Sequence, residues 1–364
     1  MERKILNICI ENGARLAEPG EFTKRAFLNG RIDLSQAEAI IDLINAKSDM
    51  EAKESINQLK GNLSSNIEKI ENKIMDIMVN IEVIIDYPEY DVEEITKEKA
   101  IEGLNDVKND LKKLEQSFER GKILRDGVRT VILGKPNAGK SSLLNAILNE
   151  NRAIVSNIEG TTRDTIEEFI NVDGISLKLI DTAGIREAKD EIEKQGIEKS
   201  LNLANNADLI IAIFDITKPL DGKDEEIIKL IKEREAIIVL NKIDCKPNKE
   251  VEERLKKLNI PIIRISAKNK TNINLLFNKI NEIYCSGKIV NESSSIITNE
   301  RHKNQIKIAK KSINDAIKSI ENDMPIDISS IYIKQSLEDL GEITGKNVSE
   351  NIVNEIFKKF CLGK

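Results

Sequence analysis

The run Gly134-Lys135-Pro136-Asn137-Ala138-Gly139-Lys140-Ser141 fits the pattern G-x-x-x-x-G-K-[ST], and it constrains the fold more than any other part of the chain. Such a loop works only between a strand and a helix. Its main-chain N–H groups wrap phosphate oxygens, and the helix behind it offers the positive end of its dipole. Both neighbours are present. Val128–Leu133 is an apolar run of strand length, and Leu143, Leu144 and Ile147 repeat at helical spacing behind Ser141. Lys140 is placed to neutralise β- and γ-phosphates, and the Ser141 hydroxyl to reach Mg2+.

The apolar runs Leu177–Ile180, Leu209–Phe214, Ile237–Leu240 and Ile262–Ile265 follow, separated by helix-length segments. Strands alternating with helices imply right-handed crossovers and a mostly parallel sheet. The flanks differ. Ser35 with Glu38 has capping-box spacing, opening a long helical region. Within it Ile56, Leu59, Leu63, Ile67, Ile70, Ile74, Ile77, Ile81 and Ile84 form one stripe that ends at Tyr87-Pro88. A second stripe, Ile101, Leu104, Leu111, Leu114 and Phe118, ends at Gly121. After the polar stretch Asn291–Ser295, Ile306, Ala309, Ile313, Ile317 and Ile320 form a third, and Ile352, Ile356 and Phe360 a fourth. The expected fold is an α/β P-loop domain over 123–288 inserted into an all-α helical domain built from 36–122 and 289–364. Residues 1–35 show no sustained helical period.

Four more segments fall at strand ends in the order a guanine-nucleotide domain requires. Gly160-Thr161-Thr162-Arg163-Asp164 offers a threonine to Mg2+, and Asp181-Thr182-Ala183-Gly184 offers the Gly184 amide to a γ-phosphate. Asn241-Lys242-Ile243-Asp244 supplies a carboxylate for guanine N1–H and the 2-amino group, a donor pair adenine lacks. Ser266-Ala267-Lys268 completes the base pocket. A wrong base would leave the carboxylate unpaired, so discrimination is strong. These residues predict a GTP-binding domain.

Composition removes several alternatives. His302 is the single histidine, so a poly-His metal site is excluded and a Ser-His-Asp triad would have to be built on it. Trp is absent and aromatics are 3%, which disfavours a stacking platform for single strands. Cys9, Cys245, Cys285 and Cys361 are widely spaced, fitting a reducing cytoplasm. No apolar run of membrane-spanning length occurs. A net charge of −6 confines any RNA contact to local patches or to a partner.

Hydrolysis poses a puzzle. Many GTPases carry a glutamine just after the D-T-A-G segment to orient water, but here Ile185 stands there. Arg186, Glu187, Asp190, Glu191 and Glu193 lie nearby, and any of these carboxylates could position water. A second cation held by loop carbonyls and Asn137 could supply the missing positive charge.

Outside the nucleotide motifs, Pro19-Gly20-Glu21-Phe22-Thr23, Arg25-Ala26-Phe27-Leu28-Asn29-Gly30, Asp33-Leu34 and Gln36-Ala37-Glu38-Ala39 open the helical region. Thr298-Asn299-Glu300-Arg301-His302, Gly341-Glu342-Ile343-Thr344-Gly345 and Phe360-Cys361-Leu362-Gly363-Lys364 close it. With these segments the chain resembles, over essentially its whole length, the MnmE (TrmE) family of tRNA modification GTPases. The resemblance implies a K+-dependent GTPase that acts with an MnmG (GidA)-type flavoprotein. Together they add a carboxymethylaminomethyl-type group to the tRNA wobble uridine, with a folate one-carbon donor and G domains that pair into a homodimer.

The resemblance also implies residue roles. Nucleotide contacts fall to Asn137, Ala138, Gly139, Lys140, Ser141 and Ser142, then to Ser156, Asn157, Ile158, Glu159, Gly160, Thr161 and Thr162. Asp181, Thr182, Ala183, Gly184, Asn241, Lys242, Asp244, Ser266, Ala267 and Lys268 complete the set. Ser141 and Thr162 would hold Mg2+, and Asn137, Ser156, Ile158 and Thr161 would hold K+. Glu193 and Arg186 would serve hydrolysis alongside Lys140, with potassium in place of a glutamine or arginine finger. Cys361 would serve the modification chemistry, and Arg31 and Lys364 would contact folate. The ending Cys-Leu-Gly-Lys superficially fits a prenylation box, but lysine is a poor last residue there. His302 stands alone and reads as structural or tRNA-proximal rather than as a base.

Residues 1–35 match only the last portion of the family's N-terminal α+β folate-binding domain. They are therefore expected to be a remnant, poorly anchored and with exposed apolar surface. Normal GTP binding and impaired folate binding are expected of such a chain. Rival readings are an Era- or Der-like ribosome-assembly switch, or a nucleotide-gated scaffold without enzymatic activity. The first would need a KH module with a G-x-x-G loop or a second P-loop, and neither occurs.

Overall fold

A computed structural model of the protein describes residues 2–86, 93–149, 168–172, 174–180, 204–284 and 296–361. Two compact units emerge. One comprises Met1–Ala46, Ala52–Lys122 and Ser293–Lys364, the other Lys47–Glu51 and Ile123–Glu292. The α/β unit thus interrupts the helical one in chain order.

The helical unit begins with α1 (Glu2–Glu11) and α2 (Glu21–Leu28), so helices occur where no helical period was expected. In α1 the sequence Leu6, Ile8, Ile10 alternates like a strand, and these side chains are exposed together with Ile5. None of them belongs to a buried core. The expected apolar exposure is therefore present in α1. By contrast, α2 is anchored: Lys24 donates to Asn354 Oδ1 at 2.6 Å, and Gly20 N donates to the Cys361 carbonyl at 3.4 Å.

Helix α3 (Leu34–Asn45) is capped by Asp33, whose carboxylate accepts from Gln36 N at 2.9 Å while Gln36 Oε1 accepts from Asp33 N at 2.9 Å. This box replaces the expected Ser35–Glu38 pair, because Glu38 is occupied elsewhere. The long stripe is likewise broken. Helix α4 (Asp49–Leu59) ends at Lys60-Gly61, and α5 (Asn62–Asp86) begins a new one. Leu63, Ile67, Ile70, Ile74, Ile77 and Ile81 are buried, but Ile56 is 39% exposed. Helix α6 (Glu93–Asp126) continues past Gly121 and buries Leu104, Leu111, Leu114 and Phe118 against the same core.

The α/β unit holds β1 (Val128–Leu133), α7 (Lys140–Asn149), β2 (Glu168–Val172), β3 (Ile175–Leu179) and β4 (Leu209–Asp215). It continues through α8 (Gly222–Ile231), β5 (Ala236–Asn241), α9 (Lys249–Lys256), β6 (Ile262–Arg264) and α10 (Ile273–Tyr284). The sheet order is β2-β3-β1-β4-β5-β6, antiparallel only between β2 and β3. Every residue of β4 and β5 is buried, the mark of parallel strands covered on both faces. One core packs on Ile132, Leu144, Ile213 and Phe277, the other on Leu133, Phe214, Ile228 and Leu240.

The helical unit closes with α11 (Glu300–Glu321), α12 (Ile326–Thr344) and α13 (Glu350–Phe357). The stripe Ile306 to Ile320 on α11 is buried as expected. Of the expected stripe Phe360 is buried, Ile356 is half-buried and Ile352 is exposed, while Val353 and Phe357 of α13 are buried beside them. Phe357 stacks with Phe360 at 4.9 Å between ring centroids. Among the described residues no helix is long and apolar enough to cross a membrane.

Candidate guanine-nucleotide site

Loops leaving the C-terminal ends of parallel strands share one edge of the sheet, where ligands of open α/β folds bind. Strands β1, β5 and β6 send Gly134–Ser141, Asn241–Asp244 and Ser266–Lys268 to that edge.

The phosphate loop turns through two residues with positive φ, Asn137 at 64° and Gly139 at 107°. Lys140 Nζ donates to the Gly134 and Lys135 carbonyls at 2.7 and 3.1 Å. Burial pushes the Lys140 pKa down from its ordinary value. Ser141 and Ser142 are exposed in the first turn of α7, and the Asn137 side chain is exposed on the loop. A hydroxyl at a helix N-terminus and an exposed amide oxygen are the donor types that Mg2+ and K+ accept.

Asn241 joins this loop to the segment that follows β6. Its Nδ2 donates to the Ala138 carbonyl at 2.8 Å, and its Oδ1 accepts from Ala267 N at 2.9 Å. A Cβ on residue 139 would lie 2.1 Å from Asn241 Nδ2, so the contact requires glycine there twice over, for space and for φ. Asp244 is exposed and accepts from Ser266 Oγ at 2.6 Å. That hydrogen bond holds its carboxyl below the ordinary range, leaving it ionised. Lys242, at φ 69°, places its ammonium 2.6 Å from Asp215 Oδ2. Lys268 is exposed beside them.

Two anchors were not foreseen from sequence. Asp215 ends β4 directly after the apolar run, and an acid at that strand end on the phosphate-loop edge was the available signal. Lys135 Nζ lies 2.6 Å from Asp224 and 3.1 Å from Asp221, at the start of α8. Burial works against the Lys135 charge, but hydrogen bonds to both carboxylates outweigh it and raise its pKa.

Family comparisons decide what this nucleotide site belongs to. A family model described as MnmE helical domain matches residues 34–361. The chain is 49% identical over 363 residues to the tRNA modification GTPase MnmE of Acetivibrio thermocellus, spanning 100% of this chain and 79% of that protein. The chain belongs to the MnmE family of tRNA modification GTPases. The MnmE of Clostridioides difficile is also 49% identical over 363 residues, again across 100% of this chain and 79% of the relative. For that of Finegoldia magna the figures are 48% over 362 residues, 100% and 80%. A second model, GTP-binding protein TrmE N-terminus, matches residues 1–31.

Several MnmE-type site residues lie outside the described residues. They are Ser156, Asn157, Ile158, Glu159, Gly160, Thr161, Thr162, Asp181, Thr182, Ala183, Gly184, Arg186, Glu193 and Lys364. Among the described ones, Cys361 is an exposed free thiol. Gly20, at φ 66°, leaves room for the Phe360 ring, since a Cβ would come within 2.9 Å of it. Arg31 is exposed just beyond α2. His302 is fully buried, with Nε2 2.7 Å from Glu38 Oε2. No group of three or more metal-ligating side chains occurs among the described residues.

Proposed function

We infer that the chain is a K+-dependent GTPase. It works with an MnmG (GidA)-type flavoprotein to install a carboxymethylaminomethyl-type group at C5 of the tRNA wobble uridine. The observation that carries the nucleotide part is Asn241 bonded to both Ala138 and Ala267, with the exposed Asp244 carboxylate held alongside by Ser266 Oγ. Family membership supports the tRNA part.

In this reading Asn137–Ser142 wrap the phosphates, Asp244 reads guanine, and Ser266, Ala267 and Lys268 close the pocket. Ser141 and Thr162 would hold Mg2+, which withdraws charge from the phosphate oxygens. Asn137, Ser156, Ile158 and Thr161 would hold K+, which supplies the charge compensation that a finger arginine gives elsewhere. Glu193 would orient water, with Arg186 supporting the loop. The same G-domain surface would meet a second copy. Residues 36–122 and 289–364 would form the helical domain, interrupted in the chain by a G domain at 123–288. Residues 1–35 would belong with a folate-binding domain, where Arg31, Lys364 and Cys361 serve one-carbon chemistry.

The test is reconstitution with the flavoprotein, a folate one-carbon donor, GTP and unmodified tRNA, read as the wobble nucleoside by mass spectrometry. A modified uridine that disappears without GTP or in Cys361→Ser supports the reading. Modification independent of both would overturn it.

A further inference from the structure

We propose that Asp215 is a positioning residue for guanine recognition, acting through Lys242. The inference rests on the base pocket proposed above. Asp215 closes β4 in register with Asn241, the last residue of β5. The residue is 4% exposed, and both carboxylate oxygens are already engaged. Oδ2 accepts from Lys242 Nζ at 2.6 Å, and Oδ1 accepts from Thr217 N at 3.0 Å and Thr217 Oγ1 at 2.6 Å. A carboxylate so saturated cannot itself meet a base. What it can do is fix Lys242.

Lys242 matters because the chain turns there. Its left-handed backbone, at φ 69°, is uncommon for a residue with a side chain and persists only where neighbours enforce it. On one side of that turn Asn241 holds the phosphate loop and the S-A-K segment. On the other, Asp244 faces the base. The Asn241 carbonyl accepts from Ile216 N at 3.1 Å, and the Lys242 carbonyl accepts from Cys245 N at 3.0 Å. The segment Asp215–Thr217 therefore grips the turn at both its main chain and its side chain. Burial disfavours the Asp215 charge, but Lys242 and Thr217 outweigh it and keep the carboxyl below its ordinary range. The clamp is thus ionised and in place throughout the neutral range.

Asp215→Asn keeps the Thr217 partners and removes the ion pair. The assay is nucleotide binding and turnover with GTP and ITP, whose base lacks the 2-amino group. Kd for GTP should rise roughly 10–100-fold, the GTP-over-ITP preference should narrow, and kcat at saturating GTP should stay within about twofold. Adding Asp215→Asn to Lys242→Met should change GTP affinity no further. Should Asp215→Asn fail to fold, Lys242→Met alone must show the same narrowed preference.

An unchanged GTP-over-ITP ratio overturns the proposal, even where Tm falls, and so do additive losses in the double variant. Asp244→Asn, run in parallel, separates the two readings. If it shifts preference toward XTP while Asp215→Asn leaves the ratio intact, only the role of Asp215 falls. If Asp244→Asn leaves base preference unchanged, the base pocket itself falls.

Discussion

The side-chain amide of Asn241 donates to the main-chain carbonyl of Ala138 at 2.8 Å, tying the end of β5 to the phosphate loop two strands away. Its other end takes the Ala267 N–H, so one buried side chain satisfies groups on two loops. The loops leaving β1, β5 and β6 are therefore held together by one side chain.

Asn241→Ala would strand the Ala138 carbonyl and the Ala267 N–H, both in buried residues. Each unsatisfied group costs about 1–3 kcal/mol. The expected outcome is a loss of GTP and GDP affinity of roughly 100-fold, with a lower Tm, read by nucleotide titration and thermal melting. Affinity within twofold of the parent would show that the bridge does not shape the pocket.

Lys135 predicts a stability effect separate from nucleotide contact. Asp224 is 1% exposed, so Lys135→Met leaves a buried carboxylate without its 2.6 Å cation. The variant should lose about 3 kcal/mol in denaturant unfolding, and adding Asp224→Asn should recover most of it. Additive losses would show that the pair is not coupled.

In the helical unit, Glu38 joins three elements. Its carboxylate accepts from Arg301 Nε at 3.0 Å and Nη2 at 2.8 Å and meets His302 Nε2 at 2.7 Å. Arg301 also donates to the Glu342 and Ile343 carbonyls at the end of α12. Burial alone would raise the Glu38 carboxyl, but His302 and Arg301 hold it at about 2, against 4.5 unperturbed. A carboxyl depressed by folding stabilises fully above pH 4.5, and that contribution is lost as pH falls from 4.5 toward 2. Glu38→Gln should destabilise the chain at pH 7 and remove this part of the acid-induced loss, as melts between pH 7 and pH 3 would reveal. A wild-type acid slope retained in the variant would contradict it.

Legibility from sequence followed how local each cause is. β4 and β5 stood out because burial on both faces makes them unbroken apolar runs, and the phosphate loop because its glycines answer a local backbone need. β2 did not, since its Phe169, Ile170 and Val172 are interrupted by Asn171 and never form an unbroken apolar run. The segment Asp33-Leu34-Ser35-Gln36-Ala37-Glu38 holds two overlapping pairs with capping-box spacing. Asp33–Gln36 forms the cap because Glu38 is claimed by Arg301, 263 residues away. The Asp215–Lys242 and Lys135–Asp224 pairs were hidden for the same reason, being set by strand order.

Potassium dependence is the point on which the functional reading turns, and one measurement decides it. GTP turnover by the purified chain should be followed at matched ionic strength in KCl and in NaCl, with Mg2+ constant. Turnover faster in KCl by roughly tenfold or more is expected if a monovalent ion beside Asn137 compensates transition-state charge. Equal rates in the two salts would contradict it.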